Sequence, residues 1–177
     1  SLIAASFLLA CGTYVLASRY SYGLSIPLII YFCLFMVVPL GPEYLPDTIS
    51  TSMFYNRFGW TALTFAFLYF VEPRSQSKAS WTLEAVTLAS FLLFMFYLKM
   101  SFALVGLAFL PLLFLGSSYN RKLSVATFVA FCIGCGVVEL FHGSLAGYIH
   151  DLRMTIKASG ANRGGMIPQL VAKMREY

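Results

Sequence analysis

The chain is poor in charge. Asp, Glu, Lys and Arg make up 11% of its 177 residues, against about 25% in an average soluble domain. That is too few to coat a water-facing surface, which excludes a soluble globular domain. No basic patch interleaves with exposed aromatics, so the net charge of +5 does not point to a nucleic acid. The Lys and Arg residues are instead scattered between apolar blocks, as in membrane loops. A metal centre is also missing. Cys11, Cys33, Cys132 and Cys135 all sit within apolar blocks, and Cys132-x-x-Cys135 is half of a zinc spacing without a second half. Those cysteines read as small residues that let helices approach, helped by Gly134 and Gly136. No disulfide framework, metal or cofactor is implied. There is no internal repeat and no low-complexity tract, and no basic stretch precedes the first apolar run to make it a signal peptide.

What the chain has is apolar length. Hydrophobic residues reach 59%, and they come in long blocks. A bilayer core of about 30 Å takes roughly 20 apolar helical residues. The expected fold is therefore all-α: a polytopic transmembrane helix bundle of about six spans with an amphipathic helical tail. The spans fall at 1–17, 23–40, 53–71, 81–98, 100–116 and 123–141, and 142–177 is extramembrane. The chain starts at Ser1 inside an apolar run and ends at Tyr177 inside a helical pattern, so it reads as a piece of a longer protein.

Several boundaries have identifiable causes. Ser18 to Tyr22 is a short loop carrying Arg19, with Tyr20 and Tyr22 suited to an interfacial belt. Pro27 falls in the first turns of its span, where a missing N–H costs little, and Pro39, Pro42 and Pro46 end that helix. A loop from Gly41 to Ser52 holds Glu43 and Asp47. Phe58 to Val71 is too short to cross alone, so the helix must start near Met53, with Asn56 and Arg57 in its first turns. Glu72-Pro73-Arg74 stops it, and Lys78 lies in the polar loop that follows.

Trp81 to Gly116 is a long apolar run in which Lys99 stands out. As one helix it would be about 50 Å long at ~1.5 Å per residue, more than one crossing needs. We read it as a hairpin with Lys99 at the tip. No Gly or Pro marks the turn, so a single tilted or kinked helix stays open. After the Arg121-Lys122 loop comes the last span, with Glu139 near its end. Leu145, Ile149, Leu152 and Ile156 then recur at helical spacing, with His150, Asp151, Arg153 and Lys157 on other faces, as in an amphipathic surface helix. Ser159 to Gly165 is a Gly-rich turn, and a further helix begins at Ile167 with Pro168 near its start.

With six spans, Arg19, Arg74, Lys78, Arg121 and Lys122 share one side, and their excess of positive charge makes it the cytoplasmic one. Arg57, Lys99 and the tail then lie outside, in the periplasm.

Four groups could carry chemistry. Lys99 is a cation at membrane depth or a lysine reaching headgroups from a hairpin tip. Arg57, beside Asn56, offers a planar guanidinium for a lipid diphosphate, or anchors a helix start at the interface. His142, His150, Asp151 and Arg153 form a polar group in which His150 could serve as a general base, or they make a solvated helix face. Glu139 pairs with a cation or simply reaches the interface.

Met53-Phe54-Tyr55-Asn56-Arg57-Phe58-Gly59-Trp60 at the opening of a span resembles the segment that starts a helix in the O-antigen ligase and polymerase superfamily. Leu98-Lys99-Met100-Ser101 between two apolar runs is similar to that superfamily's Thr-x-Ser-Arg element, and Arg121-Lys122 and a further span follow in similar order. Phe102 stands where the family has its Arg, and the large outer loop with its His is not recognisable. The resemblance covers Met53 to Phe141. It implies a protein of the bacterial inner membrane that transfers a glycan, without a metal, from a polyprenyl-diphosphate-linked donor on the outer face. Arg57 and Lys99, with Asn56 and Arg153, would hold diphosphate or glycan, and His150 would be the base. The lipid bilayer is the other partner. Two competing readings are a transporter or permease subunit, with Lys99 buried against a carboxylate such as Glu139, and a membrane scaffold in which every charge is an anchor.

Overall fold

The computed structural model describes residues 2–37, 51–74, 78–143, 147, 149, 150, 153 and 154; for 51–54, 78–80, 142 and a few residues of the tail it describes the backbone at most. The loop with Glu43 and Asp47, the Lys78 and His142 side chains, Asp151, and the turn and helix expected after Ser159 lie outside the described residues.

All regular structure among the described residues is helical: α1 Leu2–Arg19, α2 Tyr22–Val37, α3 Thr51–Phe67 with a 3-10 turn over Leu68–Phe70, α4 Lys78–Leu98, α5 Met100–Phe114 and α6 Ser118–His142. The protein is a helical membrane bundle. α1, the Trp81–Leu98 part of α4 and the Ser118–Phe141 part of α6 are each long and apolar enough to cross a membrane, while α2 and α5 are apolar but shorter. Leu24, Ile30 and Leu34 on α2, Leu104 and Leu112 on α5, and Val125, Phe128 and Ile133 on α6 stay exposed. Water would penalise such faces, whereas acyl chains match them.

The chain divides into two compact units, Ser1–Gly134 and Cys135–Tyr177. Within the first, α3 is central and packs on α1, α2, α4 and α5. Aromatic rings fill its core. Phe32 of α2 meets Phe65 of α3 with centroids 4.7 Å apart, and Phe65 stacks on Phe91 of α4 at 5.9 Å. Small residues make room for them. The Phe65 ring lies directly against Gly12 of α1, and the Phe102 ring of α5 lies against Gly59 of α3, where a Cβ would collide. The helices reach close approach through these glycines, as lipid-embedded helices do when dispersion must replace a hydrophobic drive.

α4 and α5 form an antiparallel hairpin that breaks at one residue, Lys99, with φ −165° and ψ 117°. Its N–H still donates to the Met95 carbonyl at 2.8 Å, and its carbonyl accepts from Phe102 N–H at 3.0 Å. A single extended residue therefore interrupts the helix with both flanking turns satisfied. No positive φ is required, which is why the turn carries neither Gly nor Pro. A Cβ on Gly106 would stand 2.7 Å from Leu92 Cδ2, so the two arms touch where both lie seven residues from the tip.

Arg19 is not a loop residue. It sits in the last turn of α1 and is buried.

Candidate functional site

The hairpin and the start of α3 meet at one end of the first unit. Lys99 Nζ donates to Asn56 Oδ1 at 2.9 Å. The same ammonium stands 5.9 Å from the centre of the Phe102 ring, an outer limit for attraction to a π face. Phe102 in turn meets Trp60 edge-on at 5.5 Å. Three features hold Lys99 here: the extended break that ends α4, the Asn56 amide one turn ahead of Trp60, and the aromatic platform. Lys99 is exposed, and Asn56 is half-buried. An ammonium has three donors, so the bond to Asn56 leaves two for an outside acceptor.

Arg57 follows Asn56 on α3 and is only 9% exposed, with contacts of its own. One turn further along α3, Trp60 and Thr61 join Tyr31, Phe32, Phe35 and Thr64 around a groove of about 300 Å³ between α2 and α3. Asn56 and Arg57 thus precede by one turn the two α3 residues, Trp60 and Thr61, that line this groove.

The structure brings Lys99 and Asn56 into contact and puts Arg57 on the adjacent position of the same helix. Asn56 points its acceptor at Lys99, so its first task is to orient the ammonium. His150 and Arg153 fall in the second unit, both exposed on helical residues. Glu139, also in that unit, has contacts of its own. Among the described residues, no group of three or more His, Cys, Asp and Glu is placed to hold a metal.

The opposite end of the unit holds a second polar centre, which the sequence reading passed over. Arg19 Nη2 donates to Glu84 Oε2 at 2.7 Å, with both side chains fully buried. Arg19 Nη1 donates to Ser18 Oγ at 2.7 Å, and the guanidinium lies 4.2 Å from the centre of the Tyr69 ring. Tyr119, at the start of α6, is within electrostatic reach of both charges. The Arg74 N–H donates to the Ser18 carbonyl at 3.0 Å, which ties the chain after α3 to the end of α1. The signal for this centre was Glu84 itself, a carboxylate inside the apolar run from Trp81. An ionisable residue at such a place demands a partner. The loop expected from Ser18 to Tyr22 hides that partner, because α1 continues through Arg19 and carries it into the bundle.

No family model, curated protein or solved structure matches the chain.

Proposed function

We propose that this is a glycan ligase- or polymerase-like protein of the bacterial inner membrane, which takes a glycan from a polyprenyl-diphosphate-linked donor on the outer face. The observation that carries the reading is the Lys99–Asn56 contact beside Arg57, one turn before the α3 residues that line an aromatic groove. A diphosphate leaving group needs fixed positive charge where its own charge develops, in a site of low dielectric. Lys99 supplies a point charge held in place by Asn56. Arg57 supplies a guanidinium able to grip phosphate oxygens in pairs. Rings such as Tyr31, Phe32, Phe35 and Trp60 suit an isoprenoid chain. The charge distribution that sets the Arg19 end in the cytoplasm sets the Lys99 end outside.

The test uses the full-length protein in lipid nanodiscs and measures binding of a fluorescent polyprenyl diphosphate against the matching polyprenol. The diphosphate should bind at least tenfold tighter, and K99M should remove most of that preference. Equal binding of the two lipids, or a preference untouched by K99M and R57A, would overturn the reading. Orientation is checked with a single cysteine at Ser101 in a cysteine-free background. A membrane-impermeant thiol reagent should label it in intact spheroplasts; labelling only after lysis would set the Lys99 end in the cytoplasm and end the outer-face mechanism.

A further inference from the structure

A groove of about 480 Å³ between α5 and α6 belongs to neither polar centre and is independent of that reading. Leu107, Pro111 and Phe114 of α5 line one side, and Val125 and Phe128 of α6 line the other. Leu110 and Ser124 also line it, and both are buried. Ser124 is the one polar residue among these, and its hydroxyl donates to the Leu110 carbonyl at 2.8 Å. No lining side chain therefore has a hydrogen-bond proton left to offer. Pro111, Phe114, Val125 and Phe128 are exposed, so the groove opens outward from the bundle. What lies in it must be apolar.

Size and charge narrow the occupant. From Leu107 to Phe114 the groove runs about 10 Å along α5, at the helical rise per residue. Its volume spread over that length leaves a cross-section on the order of 50 Å², against about 80 Å² for even a slim helix. A helix from a second copy does not fit, whereas an extended hydrocarbon chain does. The length also stays within one leaflet of a bilayer core about 30 Å thick. Arg121 precedes Ser124, Val125 and Phe128 by three, four and seven residues, so it shares their face of α6. Side chains on a helix lean toward its N-terminus, which carries Arg121 past the loop end of the groove. Arg121 and Lys122 are both exposed. An apolar slot with two cations at one end matches an amphiphile with an anionic head. A choline head would bring a third cation to that end. We propose that the α5–α6 groove, with Arg121 and Lys122, is a binding site for one anionic glycerophospholipid of the bilayer. An acyl chain lies between Pro111 and Phe128, and the phosphate meets Arg121.

Tryptophan quenching reads the site directly. Full-length protein carrying W60F/W81F and a single new reporter, F128W, is reconstituted in phosphatidylcholine vesicles. Phosphatidylglycerol or phosphatidylcholine with brominated acyl chains is then added as the quencher. Brominated phosphatidylglycerol should half-quench F128W at a mole fraction about fivefold lower than brominated phosphatidylcholine does. L34W, on the exposed face of α2, should be quenched equally by both. Adding R121Q/K122Q should bring F128W to the behaviour of L34W. F114W, on the other side of the groove, replaces F128W should that variant not fold. Equal quenching by the two lipids overturns the proposal, and so does a preference that survives R121Q/K122Q. Quenching by neither lipid means that protein covers the groove, which overturns it as well.

Discussion

The two ends of the first unit each hold a cation on a polar partner, in opposite surroundings. At one end Arg19 and Glu84 are sealed in protein, with a tyrosine ring on the guanidinium. At the other, Lys99 meets a neutral amide and stays exposed. Desolvation separates the two. Two charges taken out of water cost several kcal/mol each, and their attraction offsets this only while both are present. An exposed contact costs little to form and contributes little to stability, usually under about 1 kcal/mol. The sealed end is thus suited to fix how helices pack, and the open end to meet something from outside.

The comparison breaks most sharply at the sealed end. E84Q or R19M alone leaves one buried charge unmatched and should destabilise by about 3–5 kcal/mol, read as loss of monodisperse protein in detergent. The double variant R19M/E84L should recover most of that loss, because an apolar pair of similar volume carries no desolvation cost. If the double is as damaged as the singles, the pair is not the reason.

The next effect lies where α5 packs on α3. G59V forces side-chain atoms into the Phe102 ring and should cost about 1–3 kcal/mol in thermal unfolding. F102L in the same chain should return part of it. Gly136, which has open space around its Cβ position, is the control, and G136A should change little.

The smallest structural effect belongs to the open end. K99M should shift stability by no more than about 0.5 kcal/mol while it lowers affinity for a diphosphate lipid tenfold or more. N56A should weaken binding less than K99M, since it frees the ammonium without removing it. If K99M instead unfolds the protein, Lys99 is structural and the contrast between the ends fails.

Much of the architecture was legible in the sequence because it follows from composition. Few charges and long apolar blocks leave the helical membrane bundle as the available fold, since backbone polar groups in lipid must be satisfied within each segment. Lys99 stood out because a lysine in an apolar run is rare. Glu84 sits in the same run without a visible partner, because the first span, read to Ala17, stops two residues short of Arg19, where α1 ends. Helix ends are poorly marked where apolar residues continue on both sides. The break at Lys99 needs no Gly or Pro because extended backbone suits any residue, and only the tertiary structure decides between a hairpin and one long helix.

By itself, the sequence determined that the chain is helical and lives in a membrane, and which residues are costly there. These are properties of single residues and of short windows, and transfer energies add along the chain. The tertiary structure decided which costly residues meet. Arg19 and Glu84 stand 65 positions apart, and Asn56 and Lys99 stand 43 apart. Those pairings depend on the rotation of each helix about its axis. Apolar sequence that is greasy on every face does not specify that rotation; packing of rings against glycines such as Gly12 and Gly59 does.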